Sequence, residues 1–331
     1  MSDSTHRIGE LRDAVRTGDR RALAQLITRI ESTRGDESDL GQRVLEELVP
    51  HTGGAIRVGI SGPPGVGKSS FIEVLGLELL EGGHRVAVLA VDPSSPLSGG
   101  SILGDKTRME ELARDDRAFV RPSPSGGSLG GVAHRTRECM LVCEAAGYDV
   151  VLIETVGIGQ SEVAVASMVD FFLLLLAPGG GDELQGIKKG VLELADALVV
   201  NKADGEMALA AKRTRTEYAS ALGLIRSTSS TWKPVARVAS ALERTGVSEV
   251  WEAVLDHRSR LRATDEFERR RRKQNRTWMW NLIDEAVATA FRNDPDVAAA
   301  IPDLERDVEQ QKISPAAAAR ALLAAFRTRT I

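Results

Sequence analysis

The feature that most constrains this chain is the octapeptide Gly62-Pro63-Pro64-Gly65-Val66-Gly67-Lys68-Ser69. It fits GxxxxGK[ST] and sits between an apolar run, Ile56–Ser61, and a helical pattern from Lys68 to about Leu80. A strand turning through a glycine-rich loop into a helix brings backbone N–H groups and a helix N-terminus to one point, which is an anion site. Gly62, Gly65 and Gly67 let the loop, with Pro63 and Val66, curl around phosphate oxygens. Lys68 is expected to reach the β- and γ-phosphates and the Ser69 hydroxyl to ligate Mg²⁺, with Ser70 also counted among the nucleotide-binding residues.

The rest of the middle of the chain agrees with such a fold. Apolar runs at Ile56–Ser61, Arg85–Val91, Ala118–Arg121, Val150–Glu154, Asp170–Leu176, Ala197–Val200 and Val235–Ala239 are mostly separated by longer amphipathic stretches. Continuous apolar strands alternating with helices predict an α/β P-loop NTPase domain, with a mostly parallel sheet covered by helices. Residues 1–54 read as a helical N-terminal extension. There Asp19 caps a helix from Arg20, Gly35 to Ser38 reads as a break, and Asp39 to Val49 resumes the helical pattern. Residues 55–255 form the nucleotide domain. Residues 256–331 read as a helical C-terminal arm, with a basic run Arg269–Lys273, a break at Asn293-Asp294-Pro295 and a cap at Ser314-Pro315.

Composition narrows the function classes. Lys and Arg total 43 against 47 Asp and Glu, a net charge of −4, and aromatic residues are 4%. Neither favours a general nucleic-acid binder. Cys139 and Cys143, four apart on a predicted helix, lack the CxxC spacing of a metal or redox motif and read as small buried hydrophobes in a reducing compartment. The most apolar run, Phe171–Ala177, is too short to span a bilayer, and the polar start lacks a signal-peptide core. A cytoplasmic protein without membrane contact is expected.

Asn201-Lys202-Ala203-Asp204 follows a predicted strand and fits NKxD. Asp204 would accept hydrogen bonds from guanine N1–H and the 2-amino group, donors that adenine does not pair in this way, so GTP and GDP are the expected nucleotides. The Lys202 stem would cover the base and Asn201 would hold the loop. One strand later, Ser240-Ala241-Leu242 fits a loop whose backbone touches the guanine oxygen. For the metal, Val150–Ile153 leads into Glu154-Thr155-Val156-Gly157, a DxxG-like turn with Glu in place of Asp. Glu154 is expected to act on Mg²⁺ through water, and the Gly157 N–H to meet the γ-phosphate. Asp92 and Asp105 are further candidates for the metal or its waters. No Gln directly follows Gly157 (Gln160 is three residues on), so slow intrinsic hydrolysis raised by a partner is expected. The segment Gly179 to Gly190 combines glycines with charge and reads as a switch.

Gly62–Ser69, Asp92–Ser95, Gly99–Met109, Glu154–Glu162 and Asn201–Asp204 together resemble the MeaB/ArgK GTPases over nearly the whole chain. The resemblance implies a Mg²⁺-dependent GTPase that acts as chaperone and gatekeeper for an adenosylcobalamin-dependent acyl-CoA mutase, chiefly methylmalonyl-CoA mutase, in cofactor loading, protection or reactivation. It implies a homodimer paired through the C-terminal arm, with Trp278, Trp280, Leu282, Ile283 and Phe291 supplying apolar contacts and Arg269–Lys273 solvated. It also marks Asp182, Gln185 and Lys188 as switch residues facing the mutase. No DxHxxG cobalamin signature is present, so the corrin is expected on the partner. The alternative is a P-loop kinase, for which the sequence shows no clear base beside Asp92, or a transport-associated ATPase, against which the guanine motif speaks.

Overall fold

A computed structural model describes residues 2–32, 34–91, 109–121, 129–155, 161–179, 189–224 and 229–327. Three helices open the chain: α1 (Ser2–Arg16), α2 (Arg20–Glu31) and α3 (Gly35–Leu48). The chain then alternates through β1 (Ile56–Ser61), α4 (Lys68–Glu81), β2 (Val86–Val91), α5 (Glu110–Arg114), β3 (Ala118–Arg121), α6 (Leu129–Ala145) and β4 (Val150–Thr155). It continues through α7 (Ser161–Ala166), β5 (Phe171–Leu176), α8 (Lys189–Leu192), β6 (Ala197–Val200), α9 (Ala208–Leu224), β7 (Val235–Val238) and α10 (Val247–Ala263). Last come α11 (Glu266–Asn293), α12 (Pro295–Glu309) and α13 (Pro315–Arg327).

The described strands form one sheet in the order β3-β2-β4-β1-β5-β6-β7, with every pairing parallel. Strands β1, β2, β4, β5 and β6 are buried along their whole length, which is why their sequences read as unbroken apolar runs rather than alternating ones. Alternate residues serve opposite faces. Ile56, Val58 and Ile60 pack with Phe71, Leu75 and Val250 on one side. On the other, Val151, Ile153 and Phe172 pack with α6 and with Val15, Leu23, Leu26 and Leu48 of the N-terminal helices. Because the chain passes from β1 by α4 to β2, skipping β4, the loop after β1 opens between the C-terminal ends of β4 and β5, where the strand order reverses.

The chain divides into two compact units, 1–269 and 270–331. In the first, Arg57 of β1 forks onto Glu144 of α6 (Nε to Oε1 2.6 Å, Nη2 to Oε2 3.1 Å), and Glu144 also accepts from the Gly53 N–H. Both side chains are buried, so removing either one leaves an uncompensated charge. Asp19 caps α2 as the sequence predicts, accepting from the N–H groups of Arg21 and Ala22. The break expected at Gly35 to Ser38 is instead the first turn of α3. Asp36 and Glu37 complement the helix N-terminus there, and Glu37 pairs with Arg29 at 2.8 Å. The two cysteines are buried, as expected.

In the second unit Asp294 caps α12, and Ser314 Oγ accepts from the Ala317 N–H at the start of α13. Phe291, expected in an intersubunit contact, stands edge-on to Phe326 at 5.3 Å. The basic run is not wholly solvated: Arg271 is only 8% exposed, and Gln274, one helical turn on, is buried as well. No helix among the described residues is long and apolar enough to cross a membrane.

Candidate nucleotide site

The phosphate loop leaves β1 at Gly62. There φ is +154°, and a Cβ would stand 2.5 Å from the Leu175 carbonyl oxygen of β5, so only glycine lets the loop pass this close to the neighbouring strand. Gly65 has φ +78° with open space where a side chain would be. Gly67 has φ +91°, and its missing Cβ leaves room for Asn201 Nδ2. Lys68 begins α4, and its ammonium donates to the carbonyls of Gly62 (2.8 Å) and Pro63 (3.3 Å), which places the charge inside the curve of the loop. This is the geometry of an anion cradle: a helix N-terminus, a curled backbone and one buried cation.

At the other side of the loop, Ser69 Oγ donates to Glu154 Oε1 at 3.2 Å. Glu154 is 4% exposed and is the penultimate residue of β4, opposite Ile60 of β1 in the register. A hydroxyl and a carboxylate at this separation form a hard-oxygen pair that suits Mg²⁺, which takes few protein ligands and completes its octahedron with waters and phosphate oxygens. No cluster of three His, Cys, Asp or Glu exists among the described residues, so an all-protein metal cage is not built there. Asp92, Asp105, Gly157 and Gln160 lie outside the described residues, as do Asp182, Gln185 and Lys188.

The base-reading segments converge on the same loop. Asn201 is buried after β6. Its Nδ2 donates to the Val66 carbonyl (2.9 Å) and its Oδ1 accepts from the Ala241 N–H (3.3 Å). One side chain thus joins the phosphate loop, the NKxD loop and the Ser-Ala loop. Lys202 has φ +58° and donates to the Gly65 carbonyl at 2.7 Å. Ser240 Oγ donates to Asp204 and accepts from the Glu243 N–H, fixing the carboxylate that would read the base. Beside these residues lies a cavity of about 500 Å³ lined in part by Gly67, Ser70, Asn201, Lys202, Asp204 and Leu242.

Part of the cavity wall was not anticipated. Glu73, Val74 and Leu77 follow Ser70 at spacings of three, four and seven residues, a helical signal the sequence does carry. Met207, Glu111 and Arg244 also line it, and Arg244 Nη2 stands 3.5 Å from Glu111 Oε2. Among the described residues other than glycine, positive φ occurs at Lys202, Arg244, Asp265 and Gln311, and two of these four line the cavity. Nothing in the local sequence signals Arg244 or the remote Glu111.

Known proteins resemble this chain over most of its length. The family described as "Methylmalonyl Co-A mutase-associated GTPase MeaB" matches residues 23–296. A Caulobacter vibrioides protein bearing a GTPase name is 53% identical over 319 residues, 96% of this chain and 98% of that protein. The mouse "Methylmalonic aciduria type A homolog, mitochondrial" is 47% identical over 343 residues, 99% of this chain and 82% of its own length. Among solved structures, the crystal structure of an LAO/AO transport system kinase superposes with a TM-score of 0.79 at 37% identity, covering 97% of each chain.

Proposed function

The chain belongs to the MeaB family of GTPases, and on that premise we propose that it is a Mg²⁺-dependent switch serving a methylmalonyl-CoA mutase or a related adenosylcobalamin-dependent acyl-CoA mutase. Its activity is GTP hydrolysis. The observation that carries the nucleotide assignment is Asn201, which binds the phosphate loop through one end of its amide and the Ser-Ala loop through the other. Base and phosphate recognition are therefore one connected body.

In the proposed reaction, water attacks the γ-phosphorus and the bond to the β,γ-bridging oxygen breaks, leaving GDP and phosphate. Lys68 and the loop N–H groups stabilise the charge that develops on the phosphate oxygens. Mg²⁺, when bound, neutralises charge on the β- and γ-phosphate oxygens. Ser69 and Glu154 would hold it, with Asp92 and Asp105 as further candidates, and the Gly157 N–H is assigned to the γ-phosphate. The intrinsic rate is slow, and hydrolysis biases switch segments rather than building a product. Cobalamin loading, protection or reactivation of the mutase is the purpose assigned to that switch, with Asp182, Gln185 and Lys188 as partner contacts. The corrin belongs to the partner.

We assign a homodimer formed through the C-terminal helices. Met279, Trp280, Ile283 and Val287 recur at helical spacing on α11 and are each at least 40% exposed, an apolar stripe suited to an isologous contact. The compartment assigned is the cytoplasm, in keeping with two buried free thiols.

The test is hydrolysis of GTP, with ATP as control, with and without purified methylmalonyl-CoA mutase from the same organism. A slow GTP-specific rate that the mutase accelerates is expected. A rate indifferent to the mutase refutes the partner assignment. Phosphate transfer that requires an added acceptor, in place of release to water, favours the kinase reading.

A further inference from the structure

Behind the metal-facing edge of the sheet lies a hydroxyl pair with no assigned role. Thr155 Oγ1 donates to Ser61 Oγ at 2.8 Å, and both residues have zero exposure. Each is the last residue of its strand, one position beyond the register partners Ile60 and Glu154. Ser61 precedes Gly62, whose carbonyl receives Lys68; Thr155 follows Glu154, which receives Ser69. Both hydroxyls lie at the buried ends of strands whose other polar side chains, Arg57 and Glu154, have partners of their own.

We propose that Ser61 and Thr155 are positioning residues for GTP hydrolysis: their hydrogen bond locks the end of β4 to the end of β1, so that Glu154 is held in register with Ser69 and the phosphate loop. Both hydroxyls are fully buried, so neither is assigned a contact with the nucleotide. The bond fixes the distance between the two strand ends that carry the metal-binding oxygens. This deepens the Mg²⁺-dependent reading above and rests on it.

The test uses Ser61→Ala, Thr155→Val, Thr155→Ser and the double variant S61A/T155V. Removing one hydroxyl leaves the other buried without its partner and lowers Tm, whereas removing both is nearly neutral for stability. The double variant therefore separates positioning from packing. Its kcat is expected to fall about tenfold with KM for GTP within about twofold, because small misplacement of reacting groups is costly. The Mg²⁺ concentration that half-maximally slows release of a fluorescent GTP analogue is expected to rise about fivefold or more by the same misplacement. Thr155→Ser keeps the hydroxyl and is expected to match wild type in both. A double variant with wild-type Tm, kcat and Mg²⁺ half-saturation overturns the proposal, and so does a Thr155→Ser variant as impaired as Thr155→Val. A wild type indifferent to Mg²⁺ refutes the metal reading instead, and the kcat of the double variant then decides this proposal alone.

Discussion

Asp204→Asn gives the sharpest test of guanine recognition. The substitution is local. Asn201 and Lys202 hold the loop to the Val66 and Gly65 carbonyls independently of residue 204, and an Asn at 204 still offers an oxygen to Ser240 Oγ. What changes is the face turned to the base. In the proposed site the carboxylate would accept two hydrogen bonds from guanine, from N1–H and from the 2-amino group. The amide accepts one and opposes the other with its own N–H. Hydrogen bonds to a charged group contribute about 1.5–3 kcal/mol each, so losing one and weakening the other costs about 3 kcal/mol, roughly a hundredfold in affinity. ITP, which lacks the 2-amino group, isolates one of the two bonds. Wild type is expected to prefer GTP over ITP by about tenfold or more, and in Asp204→Asn that ratio is expected to collapse toward unity. Displacement of a fluorescent GDP analogue by GTP, ITP and ATP reads all three affinities. An Asp204→Asn protein that keeps the wild-type GTP-to-ITP ratio refutes the placement of the base.

Lys68→Ala removes the only lysine the loop motif supplies, and is expected to abolish turnover and weaken GTP binding more than it weakens guanosine binding; equal losses for both, measured by calorimetry, refute its phosphate role. Gly62→Ala drives a methyl to 2.5 Å from the Leu175 carbonyl oxygen, so it is expected to cost about 1–3 kcal/mol of stability and to lower GTP affinity together, read by thermal melts and titration. Glu138 of α6 is buried against Gln42 (2.7 Å), with His134 at 3.6 Å, and burial raises its pKa from 4.5 to about 7, partly opposed by the Gln42 hydrogen bond and by Arg135. Between those two values the folded state keeps a proton that the unfolded state releases, so this stabilisation is complete below about pH 4.5, shrinks as pH rises and is gone above about pH 7, for a total of about 3 kcal/mol. Glu138→Gln keeps the bond to Gln42 and is expected to flatten that part of the Tm-against-pH curve; a slope between pH 5 and 8 equal to wild type refutes it.

Much of the fold is legible because the sheet is parallel and covered on both faces. Ile56–Ser61, Ala118–Arg121 and Ala197–Val200 begin and end where their apolar runs do, and the remaining strands shift by one residue at an end. Such runs are read from burial alone, which a single strand carries in its own sequence. Where the reading failed, a tertiary or cooperative effect prevailed over a local one. Gly35 to Ser38 holds breaker residues, yet Asp36 and Glu37 sit well at a helix N-terminus and Arg29 of α2 reaches Glu37. Arg271 belongs to a run of five basic residues, yet it is buried, with Gln274 one helical turn on buried too.

The site divides the same way. Its donors are legible wherever backbone geometry forces a residue type: a glycine where a Cβ would strike β5, and an asparagine where one side chain must both donate and accept. Its walls are not, because Glu111 and Arg244 meet only through the folding of segments 133 residues apart. The Ser61–Thr155 bond was likewise hidden, since a serine or threonine ending a strand is unremarked until the register sets the two strand ends side by side. The strand order is what converts scattered motifs into one site. It places β1 between β4 and β5, so the carboxylate at the end of β4 meets the loop after β1 on one side. On the other side Asn201, one strand beyond β5, spans to the same loop. A perturbation of the NKxD loop therefore bears on the backbone of the phosphate loop. Loss of the Asn201 amide is for that reason expected to impair phosphate binding as well as base selectivity, although Asn201 makes no contact with the Lys68 ammonium or the Ser69 hydroxyl in its own hydrogen bonds.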